Sequence, residues 1–195
     1  IRVAVIGVNG RGGDSHVPGF QNLNDKGVEV VLLCDPDKAI LNRRAREFGK
    51  KFGTKPETET DMRKVFERGD IQAVSVATPN HWHSLATIWA CQAGKDVYVE
   101  KPGSHNIFEG RKMVEAAAKY NRIVQHGVQL RSSEALQDLV KQLNEGVIGK
   151  VYMSRALIYR WRPSVGKQPS QPTPPSHLNW DMWLGPTAEE PYLFT

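Results

Sequence analysis

The stretch Gly7-Val8-Asn9-Gly10-Arg11-Gly12-Gly13 follows a short β-branched run, Arg2–Ile6. Glycines between a strand and a helix let backbone N–H groups approach a pyrophosphate, and the helix N-terminus adds partial positive charge. Gly7 and Gly12 keep the G-x-G-x-x-G spacing, while Asn9 stands where the middle glycine belongs. Asparagine enters left-handed backbone more readily than most residues, so the turn is expected to survive with Asn9 there. Alone, the run also reads as a merely tight turn. A second candidate lies about 20 residues further on, the distance at which dinucleotide folds carry a ribose-binding acid. There the apolar run Val28–Leu33 ends in Cys34-Asp35-Pro36. A carboxylate at that point can accept hydrogen bonds from the adenosine ribose hydroxyls and repels a 2′-phosphate. The plainer alternative makes Asp35 a turn residue before Pro36.

Two further polar clusters end apolar runs. Thr78-Pro79-Asn80-His81-Trp82-His83 follows Ile71–Ala77, and Glu100-Lys101-Pro102-Gly103 follows Val97–Val99. Ligands of open α/β sheets bind outside the carboxyl ends of the strands, so both clusters belong at the edge that carries the glycine turn and Asp35. Turn, acid and element order together point to a bound dinucleotide, NAD in preference to NADP. Arg43 and Arg44 can soften that preference. His81 reads more readily as a capping or packing histidine than as a ligand contact.

Along the chain, strands alternate with helices. Asp37 is placed to cap a helix through about Phe52, with Ala39, Ile40, Ala45 and Phe48 at helical spacing. Asp61 opens a short helix, Trp82–Ala93 is a helix stopped by Gly94, residues 106–120 form another, Ile123–His126 is a strand, and Ser133–Glu145 is a helix ended by Gly146. This order predicts a parallel, doubly wound α/β sheet of the Rossmann type. Near Gly149 the character changes. Lys150–Trp161 is a long strand candidate, and a proline-rich loop runs from Pro163 to Pro175. The expected division is therefore a nucleotide-binding domain over 1–149 and the opening of a second α/β domain, for substrate or oligomer contacts, over 150–195. That second part is too short to close its own core.

Composition sets outer limits. The 195 residues are 39% hydrophobic and 24% charged, an ordinary globular mix. No apolar run approaches the roughly 18 residues of a membrane span. A net charge of +5 suits an anionic ligand, but the basic runs are short and not interleaved with aromatics, so no nucleic-acid partner is expected. Cys34 and Cys91 sit in apolar segments and read as buried free thiols, with no metal site. The chain opens directly on a strand, which reads as trimmed. Such a start is compatible with a preceding export signal, and the compartment is read as cytoplasm or periplasm.

The glycine turn, Thr78-Pro79-Asn80-His81-x-His83, and Ala93-Gly94-Lys95-x-Val97 leading into Glu100-Lys101-Pro102 together resemble the Gfo/Idh/MocA family. That family includes glucose–fructose oxidoreductase and inositol dehydrogenase. The resemblance covers roughly residues 1–150. It implies that Lys101 lies beside the nicotinamide and substrate, and that Glu100 and a cis Lys101–Pro102 bond belong to the cofactor pocket. It further implies that Thr78, Pro79, Asn80 and His83 line the path from adenosine to nicotinamide. Gln129 and Arg131, in Gly127-Val128-Gln129-Leu130-Arg131, resemble substrate-facing positions, and Trp161-Arg162 resembles a pair set against the nicotinamide. A lysine there suits alcohol oxidation, which removes a hydride from carbon and a proton from oxygen.

The implied activity is hydride transfer between NAD, or NADP, and a sugar or polyol, by an enzyme that associates through its second domain. The family's Asp and His pair, four residues apart in that domain, has no match. His177 and Asp181 come in the opposite order. Two alternatives stand beside the dehydrogenase: an NAD-dependent glycoside hydrolase of related fold, and a non-catalytic NAD-binding fragment. The aromatic tail, with Trp180, Trp183 and Tyr192, suits sugar stacking but also plain packing.

Overall fold

The structure, a computed structural model, describes residues 1–164 and 173–192. The described residues divide into two compact units. One holds 1–127 with 173–192, and the other holds 128–164.

The first unit is a six-stranded sheet. In chain order its strands are β1 (Arg2–Ile6), β2 (Glu29–Cys34), β3 (Glu57–Glu59), β4 (Ala73–Val76), β5 (Asp96–Glu100) and β6 (Val124–Gly127). Their spatial order is β3-β2-β1-β4-β5-β6, with every pair parallel. The doubly wound α/β expectation is met. Successive strand residues face opposite ways, and both directions are apolar. Val5 and Leu33 join Val8, Leu41 and Phe48 on one face, packed by α1 (Val17–Gln21) and α2 (Lys38–Phe52). Ala4, Ile6, Leu32 and Cys34 join Val65, Phe66, Ile71 and Ala86 on the other, under α3 (Met62–Phe66), α4 (His83–Gln92) and α5 (Ile107–Lys119). A sheet covered on both faces needs such continuous apolar strands. Cys34 and Cys91 are buried free thiols, as read from their surroundings.

The capping residues act where the sequence put them. The Asp37 carboxylate accepts from the Ala39 and Ile40 amides, and Asp61 accepts from Arg63 N–H. β3 was not foreseen. It is a three-residue, largely polar edge strand that pairs with β2.

The second unit carries α6 (Glu134–Asn144), close to the predicted span. Lys150–Trp161 forms no regular ladder among the described residues, because an extended segment becomes a strand only beside a partner. Part of the proline-rich stretch, 165–172, lies outside the described residues.

Residues 173–192 group with the first unit and not with 150–164, which the sequence pattern had placed together. The reason is a set of direct bonds. Lys38 N–H donates to the His177 carbonyl, Asn179 N–H donates to the Pro36 carbonyl, and Trp82 Nε1–H donates to the carbonyls of Met182 and Trp183. The segment contains α7 (Trp180–Leu184), capped by Asn179. Trp180 and Trp183 stack at 4.9 Å, and Tyr192 meets Trp180 edge-on. These rings pack on one another. Among the described residues no helix is long and apolar enough to cross a membrane.

Candidate functional site

The glycine turn leaves β1 with Gly7 at φ +82°, and Gly7 N–H donates to the Cys34 carbonyl at 2.8 Å. A Cβ on Gly7 would lie 2.6 Å from the Ala77 carbonyl oxygen. Gly12 is tighter still: a Cβ there would sit 1.9 Å from the Gly7 carbonyl oxygen. The turn therefore folds on itself and against the end of β4. The left-handed position inside it is taken by Gly10, also at φ +82°, and not by Asn9, as the spacing had suggested. Glycine adopts that conformation without the side-chain penalty asparagine would pay. Asn9 instead presents its side-chain oxygen to Arg43 Nη2 at 3.4 Å. The chain then enters a wide helical turn over Gly12–His16 that runs into α1.

Asp35, at the end of β2, is 7% exposed. One carboxylate oxygen accepts from Val8 N–H at 2.9 Å and the other from Asp37 N–H at 3.0 Å. Burial pushes its carboxyl up, against the pull of the backbone amides of Asp37, Val8 and Asn9. Asp35 thus ties the local turn through Pro36 to the glycine turn, with one oxygen on Asp37 N–H and the other on Val8 N–H. Each carboxylate oxygen has a second lone pair for a further donor.

Beyond β4, the Thr78 hydroxyl is buried without a hydrogen-bond partner. His83 is 1% exposed and joins two loops: its Nε2 lies 2.9 Å from the Thr78 carbonyl oxygen and its Nδ1 2.6 Å from that of Pro102. A carbonyl only accepts, so a neutral ring donates to one of them at a time. His81 lies against Trp183, Nε2 to carbonyl oxygen at 2.9 Å, the packing role expected of it.

At the end of β5, Glu100 is 5% exposed and Lys101 is exposed. One Glu100 oxygen accepts from Lys101 N–H at 3.2 Å. Its other oxygen lies 3.1 Å from His16 Nε2 and 3.8 Å from Arg11 Nε. Burial pushes the Glu100 carboxyl up, but the bonds from His16 and Lys101 N–H and the charge of Arg11 outweigh it, leaving it below the usual carboxylate range. The Lys101–Pro102 bond is cis.

The structure therefore gathers Gly7, Asn9, Gly10, Arg11, Gly12, Asp35, Thr78, Pro79, Asn80, His83, Glu100, Lys101 and Pro102 at the carboxyl ends of the neighbouring strands β2, β1, β4 and β5. Gln129 and Arg131 lie on a short helical turn, and Trp161 and Arg162 in an irregular segment, all within the second unit. Sequence reasoning missed His16. Nothing local marks it, and its partners Ser75 and Glu100 are far away in the chain. A close-packed glycine cradle, a buried unpartnered hydroxyl and an exposed lysine on adjacent strand ends fit a dinucleotide whose pyrophosphate meets backbone N–H groups.

Comparisons with known proteins agree. Residues 1–128 match the family model GFO_IDH_MocA, described as an oxidoreductase family with an NAD-binding Rossmann fold. A curated relative, glycosyl hydrolase family 109 protein 1 of a Shewanella species, is 30% identical over 162 residues, covering 80% of this chain and 34% of its own length. This chain thus spans about a third of the curated relatives it matches. Among solved structures, myo-inositol 2-dehydrogenase of Lactobacillus plantarum superposes with a TM-score of 0.65 at 29% identity, over 77% of this chain and 43% of that one. The WlbA dehydrogenase of Chromobacterium violaceum, solved with NADH and UDP-GlcNAcA, gives 0.69 at 27% identity, over 78% and 42%.

Proposed function

The chain belongs to the GFO_IDH_MocA oxidoreductase family and carries its NAD-binding Rossmann domain, and from that premise we propose that it transfers a hydride between NAD and a sugar or polyol. The observation that carries this reading is the placement of the glycine cradle and Glu100-Lys101-Pro102 on neighbouring strand ends. Bound NAD supplies the hydride acceptor. Gly7, Gly10 and Gly12, with Arg11, hold the pyrophosphate. Asp35 uses its remaining lone pairs for the ribose hydroxyls. Thr78, Pro79, Asn80 and His83 line the way to Glu100 and Pro102. Lys101 exchanges the proton of the substrate hydroxyl. Gln129 and Arg131 contact the substrate, and Trp161 and Arg162 cover the nicotinamide end. Residues 150–164 belong to the opening of a domain for substrate and oligomer contacts.

The substrate class rests on the neighbours: one named for myo-inositol and one solved with a nucleotide sugar. The test is NADH formation by the natural full-length protein on a panel of polyols and sugars. Failure across the panel removes the dehydrogenase. A second reading draws on the relatives named as glycosyl hydrolases. Release of free sugar from an aryl glycoside, without net NADH, would select it.

Asp35→Ala separates the two roles of that acid. Loss of its charged hydrogen bonds is expected to weaken NAD by about 1–3 kcal/mol. Loosening of the turn affects NAD and NADP alike. Removal of the repulsion toward a 2′-phosphate helps NADP alone. The NAD/NADP affinity ratio should therefore fall. An unchanged ratio in calorimetry would leave Asp35 a turn residue only.

A further inference from the structure

His16 lies outside every role assigned so far, yet it is buried with both ring nitrogens within hydrogen-bonding distance of polar partners. It is 8% exposed, on the helical turn that leaves the glycine cradle. Its Nδ1 lies 2.7 Å from Ser75 Oγ on β4, and its Nε2 lies 3.1 Å from Glu100 Oε1 at the end of β5. Ser75 is fully buried. The Tyr98 ring meets the imidazole edge-on at 5.2 Å.

The partners decide the direction of each bond. Burial pushes the imidazole down, against the opposing pull of Glu100, and favours the neutral ring. An ionised carboxylate only accepts, so His16 Nε2 carries the hydrogen and donates to Glu100. Nδ1 then accepts from the Ser75 hydroxyl. Glu100 Oε2 in turn accepts from Lys101 N–H. A single polar chain runs Ser75 → His16 → Glu100 ← Lys101. It joins the helical turn behind the glycine cradle to the backbone of the residue that handles the proton.

We infer that His16 is a positioning residue that couples the glycine turn to Lys101. It holds the Glu100 carboxylate so that the second oxygen of Glu100 fixes the Lys101 backbone. A ligand that stiffens the turn stiffens His16 with it, and the ordering reaches the Lys101 backbone through the Glu100 carboxylate, in addition to any contact the nicotinamide makes with the lysine side chain. Without His16, the buried Glu100 carboxylate loses a donor, and such a group finds another arrangement rather than remain short of one. The inference rests on the cofactor reading above, because NAD is the ligand that orders the turn.

The test is hydrogen–deuterium exchange on the natural full-length protein, with fragmentation that resolves the Lys101 amide, with and without NAD. In the wild type, NAD should slow exchange at that amide by about tenfold, the scale of a local opening equilibrium. In His16→Phe, which keeps a ring but removes both bonds, the response at Lys101 should fall severalfold while NAD still binds and the amides of Val97–Val99 exchange as before. His16→Gln, whose amide can donate to Glu100 and accept from Ser75, should restore it. Should the phenylalanine variant not fold, Ser75→Ala removes the other end of the chain and should weaken the response severalfold. An undiminished response in His16→Phe, or in Ser75→Ala in its place, overturns the inference and leaves the cofactor reading intact. Absence of NAD binding to the wild type overturns the cofactor reading, and the inference with it.

Discussion

Lys101→Ala is expected to lower kcat/KM of the natural full-length protein by about 10²–10⁴-fold, the usual contribution of a positioned acid–base group, while NAD binds nearly as tightly as before. The two effects separate because of where the lysine lies. Its side chain is exposed, whereas its backbone N–H is tied to Glu100. Truncating the side chain leaves that bond, the neighbouring Pro102 and the glycine cradle in place. What disappears is the group that takes the hydroxyl proton as the hydride leaves carbon. Steady-state kinetics beside a calorimetric Kd measures both. Equal losses in turnover and cofactor affinity would make Lys101 a binding residue and leave the proton step without an assigned group.

Gly12→Ala should reduce NAD affinity by about a hundredfold, or about 2.7 kcal/mol. The new methyl group would have to occupy a point 1.9 Å from the Gly7 carbonyl oxygen and 3.0 Å from the Gly7 carbonyl carbon. Both atoms are backbone. Gly7 cannot retreat, because its N–H is bonded to Cys34 and its own Cα faces the Ala77 carbonyl. The turn must open, and the amides that would converge on a pyrophosphate diverge. Hydrogen bonds to a charged group contribute roughly 1.5–3 kcal/mol each, so losing one or two is enough. Gly10→Ala is the contrast. It has open space but a left-handed backbone, and the strain of about 1–2 kcal/mol should cost less affinity. If the two substitutions weakened NAD equally, close packing of the turn would not be what shapes the site.

Much of the site could be read from residue types and spacing, since its parts are local. A β-branched run ending in glycines makes a turn wherever it occurs, and Asp37 and Asp61 cap the helices that follow them. An acid at the end of the second strand falls at the sheet edge by the rise of the chain alone. What escaped was set by tertiary contact. Which residue of the turn takes the left-handed conformation depends on how the turn packs, and that residue is Gly10, not Asn9. β3 is three residues long, too short to show a period. His16 has no neighbours in sequence that announce its bonds to Ser75 and Glu100. The returning segment 173–192 is held by main-chain bonds to residues 36–38 and by Trp82, none of which leaves a pattern in its own residues. The tryptophans there did allow packing as one reading, and the structure stacks them on each other.

The most direct test of the cofactor site is a calorimetric titration of the folded 195-residue chain with NAD, and then with NADP. Saturable NAD binding in the micromolar range, with NADP weaker, is the predicted result. A folded protein that binds neither dinucleotide would contradict the assignment of the Gly7–Gly12 turn as a pyrophosphate cradle, and NADP binding as tightly as NAD would remove Asp35 from the ribose.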